Sequence, residues 1–208
     1  IPLRADDPSW GGPADSPWTL VVFGDMQCSE CAAFKKLMAE QINPRFGDRL
    51  RVVFKHAPQS GECNPRAPRN TGLSSSCIAA YAAEAARLQG GSPMFLKMCD
   101  EIMTLGDDIT KTDWHAVAAR LGLDADRFIA DFGGDIVRRR IAEDVELAYR
   151  LGVEGTPAVF LNGKPVSRLE RDNPGFWDYL AAQRNHPSGV GEASSTTAGS
   201  RPSVHDAR

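Results

Sequence analysis

The chain has 208 residues, of which 42% are hydrophobic and 25% are charged, so it has the size and composition of a globular domain with its own core. Its formal net charge is -3 and it has no long basic run, which argues against nucleic acid as a partner. No apolar stretch approaches the roughly 18 residues that a membrane-spanning helix needs.

The first part of the chain predicts a β-α-β unit. Residues 1–17 are rich in Pro, Gly, Asp and Ser, and we expect them to form an extended lead-in. The stretches "WTLVVFGD" (18–25) and "LRVVFKHAP" (50–58) predict buried strands, and apolar residues at helical spacing predict a helix from Cys28 to about Gln41. Two strands joined in this way typically form a parallel pair with a crossover helix.

The middle of the chain is predicted to be helical, and its end returns to sheet. Four or five helical patterns begin at Ser, Thr or Asp caps and end at glycines, and the first of them is predicted to end at Gly90. The stretch 156–166 then predicts a hairpin, because its Asn162-Gly163 pair fits a type I′ turn, and 173–183 predicts a last helix. We therefore expect an α/β fold in five segments: the lead-in (1–17), a first sheet part with a β-α-β unit (18–62), a loop and inserted helical subdomain (63–152), a second sheet part (153–185) and a disordered tail (186–208).

Five cysteines are many for a cytosolic protein of this size, and they indicate a compartment in which disulfides persist. We therefore expect an extracytoplasmic protein of the periplasm or cell envelope. Because the first residue is Ile1 and not Met, we expect a processed form or a piece of a longer protein, such as one anchored in a membrane.

Cys28 and Cys31 form a C-x-x-C pair where the first strand is predicted to become a helix. Unpaired N–H groups at a helix start favour a thiolate at Cys28, whereas Cys31, one turn further on, is expected to be buried and able to close a disulfide. A zinc site would need two more ligands at suitable spacing, and a purely structural bridge across so short a loop constrains little of the unfolded chain. The sequence therefore favours a redox centre without a metal.

Thr156-Pro157 is the second feature that suits such a centre. Proline at the first residue of a strand, here after Gly155, fits a cis peptide bond beside a site where backbone meets an extended partner. Taken alone this is a weak signal, because most X–Pro bonds are trans.

Together, "VVFGDMQCSEC", the central helical stretch and "LGVEGTPAVFLNG" resemble the DsbA-like branch of the thioredoxin superfamily over about residues 15–183. The resemblance implies a thioredoxin fold with a helical insertion, and thiol–disulfide exchange with proteins in which the cysteines carry the electrons and no cofactor is needed. It also implies that Pro157 is cis beside the active cysteines and that Thr156 offers backbone hydrogen bonds to a substrate strand.

A finer likeness lies in "FKHAPQSGECNPRAP" and "SSSCIAAYAAEAARLQG", which are similar to thioredoxin-like domains associated with bacterial vitamin K epoxide reductase homologues. This likeness implies a disulfide between Cys63 and Cys77. It also implies a membrane quinone reductase, of that type or of the DsbB type, as the partner that reoxidises the domain. Cys99 is expected to be a buried, inert thiol.

The residues around the cysteine pair depart from the family pattern. Ser29-Glu30 stands where strongly oxidising members carry Pro-His, and we expect the charge of Glu30 to offset part of the helix dipole. This predicts a reduction potential between roughly -270 mV, as in thioredoxin, and roughly -120 mV, as in the strongest oxidases. Many relatives also bury a carboxylate where this chain has Val22. Asp25 is the nearest acid, with a turn or cap role favoured over proton transfer.

These features predict an extracytoplasmic protein disulfide oxidoreductase that acts on unfolded or partly folded proteins. Oxidation of substrates is our first interpretation, and reduction or isomerisation is the second. The rival from another class is a thioredoxin-like module that binds peptides or copper and does not turn over.

Overall fold

The computed structural model describes residues 1–67 and 75–183. The tail that was predicted to be disordered, 186–208, lies outside the described residues. The strands of the described part form a single sheet, and their bounds are as follows: β1 Ser9–Gly11, β2 Trp18–Gly24, β3 Leu50–His56, β4 Ala158–Leu161 and β5 Lys164–Val166.

The α-helices of the described part lie on both faces of the sheet and beside it, with these bounds: α1 Ser29–Leu37, α2 Asn43–Phe46, α3 Ser76–Leu105, α4 Trp114–Arg120, α5 Ala125–Asp131, α6 Asp135–Arg150, α7 Arg168–Arg171 and α8 Pro174–Ala182. A π-helical turn, Met38–Ile42, joins α1 to α2. The backbone of α3 leaves helical geometry at Gly90 and Gly91, as expected from the sequence pattern that predicted a helix end at Gly90. Within the described ranges, no helix has the length and hydrophobicity needed to cross a membrane.

The sheet has the strand order β1-β3-β2-β4-β5. The pair β2 and β3 is parallel, as the β-α-β pattern predicts, and every other pair is antiparallel. Helices α3 to α6 lie between β3 and β4 in the chain, which confirms the predicted α/β class with a helical insertion. The turn between β4 and β5 has the positive φ angles, 48° at Asn162 and 80° at Gly163, that a type I′ hairpin requires.

Successive side chains of β2 point to opposite faces of the sheet, and they are apolar on both faces. Leu20 and Val22 pack in a core with residues of α1 and α8, whereas Val21 and Phe23 pack in a core with residues of α6. A third core joins the inserted helices to one another around Phe95 and other buried side chains. Met26, in the loop before α1, also belongs to this third core, whereas Phe34 of α1 packs in the core with Leu20 and Val22.

The lead-in is more than an extended approach, because its residues 9–11 form the edge strand β1, which pairs with β3. A buried ion cluster of Asp7, Lys55, Arg140 and Asp144 holds it there. The Lys55 ammonium lies 2.8 Å from Asp7 and 3.3 Å from Asp144, and the side chains of all three are at most 1% exposed. Arg140 lies 2.9 Å from Asp7. The cluster depends on tertiary contacts between residues that are far apart in the chain, which a local sequence pattern does not show. The strand β1 has only three residues, too few to give a periodic pattern.

We expect Asp7→Ala to lower the free energy of unfolding by about 3 to 5 kcal/mol, because Lys55 and Arg140 would keep buried charges with one partner fewer. Urea unfolding followed by circular dichroism measures the change. Asp15→Ala, at an exposed position of the same lead-in, is the matched control and should leave stability within about 0.5 kcal/mol of the parent. Equal stability of both variants would contradict the structural role of the cluster.

Candidate active site

Cys28 is the N-cap residue of α1, with extended backbone angles of -84° and 121°, so the chain turns from loop into helix at this residue. Its thiol is half-buried and lies 3.4 Å from the carbonyl oxygen of Thr156. Cys31 lies one turn further along the helix, and its sulfur accepts a hydrogen bond of 3.4 Å from the backbone N–H of Asp25. Both cysteines are free thiols in the structure.

The two thiols have very different acidities. A hydrogen bond from the Cys31 thiol is the largest cause that lowers the pKa of Cys28 to about 5, against the opposing effect of burial. Hydrogen bonds from the Thr156 side chain and from the backbone N–H groups of Cys31 and Glu30 lower it further. The same hydrogen bond and deeper burial raise the pKa of Cys31 far above its usual range. Cys28 is therefore a thiolate at neutral pH, and Cys31 stays protonated.

The sheet register brings the Thr-Pro segment to this cysteine pair. Phe23 of β2 lies opposite Ala158 of β4, so the chain that leaves β2 and the chain that enters β4 meet at one end of the sheet. The peptide bond between Thr156 and Pro157 is cis, as the resemblance implies. Residues 128 positions apart in the chain, Cys28 and Thr156, are thereby in contact.

Asp25 has a buried side chain with both carboxylate oxygens engaged by the backbone. One oxygen accepts the N–H of Gln27 at 2.8 Å, and the other accepts the N–H of Gln59 at 2.7 Å. The carboxylate thus fixes the loop before Cys28 to the segment after β3. This geometry favours the turn role over proton transfer, and Val22 contributes a buried apolar side chain to the core below.

Ser29 and Glu30 occupy the first two positions of α1 and are exposed. The charge of Glu30 is expected to offset part of the helix dipole, and the charges around Glu30 decide how large that effect is. The carboxylate of Glu30 lies 3.3 Å from Arg168 and 3.6 Å from Arg171, so two cations compensate it. Its cost to a thiolate at Cys28 is therefore smaller than the isolated residue implies.

A sequence model of the DSBA-like thioredoxin domain matches residues 19–176. The chain belongs to this family. The match confirms the predicted assignment to the DsbA-like disulfide oxidoreductases, and with it the predicted thioredoxin fold with a helical insertion.

Solved structures of DsbA-like proteins share the fold. DsbA2 of Pseudomonas aeruginosa is 20% identical with a TM-score of 0.61, over 80% of this chain and 87% of that one. The thiol-disulfide exchange protein alpha-DsbA2 of Wolbachia pipientis is 17% identical with a TM-score of 0.62, over 86% and 87%. BdbD of Bacillus subtilis is 19% identical with a TM-score of 0.58, over 85% and 90%.

Among curated proteins, the chain is similar to part of several proteins named Na(+)/H(+) antiporter NhaA. The one from Herminiimonas arsenicoxydans is 35% identical over 153 residues, which are 74% of this chain and 22% of that protein. NhaA 1 of Mycolicibacterium gilvum is 32% identical over 194 residues, which are 91% and 28%. The DsbA-like chain thus spans about a quarter of the length of these relatives.

The disulfide that the resemblance implies is present, between Cys63 and Cys77. It ties the segment after β3 to the start of α3. The hydroxyl of Ser75, next to this bridge, donates a hydrogen bond of 2.9 Å to the side chain of Gln27 in the loop before Cys28. The bridge and Ser75 therefore connect the start of α3 to the segment after β3 and to the loop before Cys28.

A mostly apolar groove of about 250 Å³ lies between α1 and the second half of α3, with Cys31 and Cys99 among its lining residues. Cys99 is buried, as the sequence predicts, and burial raises the pKa of its thiol. Its sulfur lies 3.7 Å from that of Met26. Among the described residues, no group of three His, Cys, Asp or Glu side chains is arranged to hold a metal ion.

Nothing in the sequence pattern points to Arg168 and Arg171. They lie about 140 positions after Glu30, on α7, a helix of four residues that the pattern did not predict. Arginines are ordinarily solvated, and no spacing rule connects these two to the cysteine pair. Only the folded chain shows that Arg171 is buried beside Pro157.

We expect alkylation of Cys28 in the reduced protein to follow a titration with a midpoint near pH 5. An ordinary thiol would titrate near pH 8.5. Because the pKa of Cys28 is lower folded than unfolded, it adds stability to the reduced protein that is complete above the unfolded value and is lost as pH falls through about 5. Iodoacetamide labelling across pH measures the midpoint. Cys31→Ala should raise it, because the main hydrogen bond is lost, and a midpoint near 8.5 in the parent would contradict the geometry.

We expect the double variant Cys63→Ala, Cys77→Ala to lose about 3 kcal/mol of stability, the value for a closed loop of this size in the chain-entropy model. Thermal unfolding of the oxidised proteins measures the loss. Cys99→Ala, which removes a buried thiol without opening a loop, is the control for cysteine removal itself. A stability equal to that of the parent would show that the bridge is not structural.

Proposed function

We propose that this chain exchanges disulfides with protein substrates, with Cys28 as the nucleophile and Cys31 as the resolving cysteine. One observation carries the proposal. The sulfur of Cys28 lies at the start of a helix, 3.4 Å from the carbonyl that precedes the cis Pro157, with a second thiol one turn away. The acidic thiol, its partner and an open backbone segment are the parts that the reaction needs.

In the oxidising direction, the cycle starts from a bond between Cys28 and Cys31. A substrate thiolate attacks the sulfur of Cys28, and the broken bond releases Cys31, which takes up a proton because its pKa is raised. A second substrate thiolate then attacks the substrate sulfur of this mixed disulfide and releases Cys28 as a thiolate. The substrate loses two electrons and gains a disulfide, and the cysteine pair gains the electrons.

Thr156 and Pro157 are proposed to form the platform for the substrate. Their loop faces Cys28, is partly exposed, and leads directly into β4. An extended substrate segment beside this loop can form backbone hydrogen bonds of the kind that one strand offers another. Ser29, next to Cys28, is exposed as well.

Oxidation is the direction that we propose, in the periplasm or cell envelope. A low pKa at Cys28 stabilises the reduced form and so makes the disulfide more oxidising. The pairing of Glu30 with Arg168 and Arg171 removes part of the reason to expect a milder oxidant, although the predicted range of potentials still stands. The location is supported by the bridge between Cys63 and Cys77, because such bonds persist in oxidising compartments.

We further propose that a membrane quinone reductase, of the vitamin K epoxide reductase type or the DsbB type, accepts the electrons. The oxidising direction needs such a partner, because the cysteine pair must be reoxidised after every cycle. A link to a membrane protein is supported by the names of the curated relatives, which are ion antiporters with a segment similar to this chain. Unfolded or partly folded proteins are the proposed substrates.

The test is oxidative refolding of a reduced, unfolded substrate, followed by recovered substrate activity. We expect Cys28→Ser to abolish refolding, because no sulfur remains to form the mixed disulfide. Cys31→Ser is mixed instead with a substrate that already contains disulfides, because its Cys28 thiolate can attack such a bond and release one substrate thiolate. Without Cys31 to resolve it, the mixed disulfide should accumulate and be visible on a non-reducing gel. Cys99→Ser is the matched control and should act like the parent.

Each outcome separates this proposal from its rivals. A potential of the Cys28–Cys31 couple near -270 mV, measured against glutathione, would favour a reductase, because the couple would then donate electrons. Full activity of Cys28→Ser would overturn the exchange mechanism. Stoichiometric copper in the purified protein, without turnover, would instead identify a binding module.

A further inference from the structure

Four alternating charges form a closed ring beside Cys28, and we call them the Glu30 charge ring: Glu30, Arg168, Asp172 and Arg171. The carboxylate of Glu30 lies 3.3 Å from Arg168 and 3.6 Å from Arg171. Asp172 completes the ring, at 3.6 Å from Arg168 and 2.7 Å from Arg171. The ring connects the first turn of α1 to the end of α7, and its formal charges sum to zero.

Arg171 is the buried member of the ring, with a side chain that is 7% exposed, whereas the Arg168 side chain is 71% exposed. Its guanidinium donates a hydrogen bond of 3.5 Å to the carbonyl of Pro157 and lies 5.5 Å from the ring centre of Phe34 in α1. Its own carbonyl accepts a hydrogen bond of 2.7 Å from the indole of Trp177 in α8. Arg171 therefore joins the active-site helix, the cis-proline loop and α8.

We propose that Arg171 is a positioning residue for disulfide exchange, which sets the acidity of Cys28 by neutralising Glu30 and holds the Pro157 carbonyl for substrate binding. The inference rests on the proposed function, because it assigns Arg171 a part in that reaction. Arg171 belongs to neither the cysteine pair nor the Thr-Pro segment, and it acts on both.

The electrostatic part follows from the position of Glu30. Its backbone N–H is one of the donors to the sulfur of Cys28, so its carboxylate lies in the helix turn that stabilises the thiolate. An unpaired carboxylate there would disfavour a second negative charge. The charged groups that face Glu30 are Arg168 and Arg171, and Asp172 faces both. Because Arg171 is buried, solvent and salt screen its charge less than that of Arg168.

The geometric part follows from the bond to Pro157. The carbonyl of Pro157 lies one residue after that of Thr156, which contacts Cys28. A donor on this carbonyl fixes the loop relative to α1, because the same guanidinium is held by Glu30 and Phe34. Substrate backbone then meets a loop that is already in place, which lowers the cost of ordering it.

The experiment is a double-mutant cycle between Glu30→Gln and Arg171→Gln, read as the pKa of Cys28 from the pH dependence of alkylation. We expect Arg171→Gln to raise this pKa by about 1, because the ring then carries a net negative charge. Adding Glu30→Gln should bring the value back to within about 0.3 of the parent, since the charges balance again. Substrate exchange at saturating pH should stay slow in both, because the donor to Pro157 is missing.

Arg45→Gln is the matched control. Arg45 is also paired with a carboxylate, that of Asp178 in α8 at 2.5 Å, but it does not contact Glu30 or Pro157. It should leave the pKa of Cys28 unchanged. If Arg171→Gln does not fold, Glu30→Gln alone tests the electrostatic part of the proposal. This change at an exposed position leaves the ring with a net positive charge and should lower the pKa of Cys28 by about 0.5. Arg171→Lys, which keeps the charge but lacks the second arm, should keep the parent pKa and slow exchange.

An unchanged pKa in folded Arg171→Gln, or in Glu30→Gln, would overturn the electrostatic part. If Arg171 had a purely structural role, its substitution would lower the free energy of unfolding and leave the pKa of Cys28 unchanged. Parent-like exchange in Arg171→Lys would overturn the geometric part. Alkylation needs no exchange activity, so these results stand apart from the Cys28→Ser test of the proposed function.

Discussion

The contact between the sulfur of Cys28 and the carbonyl of Thr156 is the interaction on which the site depends. It joins the start of α1, which follows β2, to the loop that precedes β4. The inserted helices α3 to α6 lie between these two segments in the chain. The antiparallel pairing of β2 with β4 makes the contact possible, because it brings the carboxyl end of one strand beside the amino end of the other. Without that register, the cysteine pair would be a local motif apart from the Thr156-Pro157 segment, which we propose as the substrate platform.

The surroundings of this contact are fixed by polar groups rather than by apolar packing alone. Asp25 binds two backbone N–H groups on either side of the site, and the Cys63–Cys77 bridge lies behind them. The buried cluster around Asp7 and Lys55 holds the lead-in and α6 against β3. The acidity of Cys28 itself depends on hydrogen bonds from the Cys31 thiol, the Thr156 side chain and two backbone N–H groups.

The effect of the Glu30 charge on the ionisation of Cys28 depends on the charges around Glu30. In the chain it is a carboxylate next to a thiolate, which opposes ionisation of the thiol. In the structure two arginines from α7 compensate it, so the helix start and the hydrogen bonds of Cys28 dominate. The difference matters for the direction of electron flow, because the thiolate's stability sets how strongly the disulfide oxidises.

The sequence by itself determined the strands around the site, the helix after Cys28, the hairpin at Asn162 and the pairing of a C-x-x-C with a later Thr-Pro. These features depend on local rules of periodicity, capping and turn geometry, or on motifs shared by a family, and such rules act within a few residues. The edge strand in the lead-in, the buried ion cluster and the role of Arg171 were decided only by the tertiary structure. Their partners lie about 50 to 140 positions apart, and a charge acquires its effect only when folding removes water and places its partner beside it.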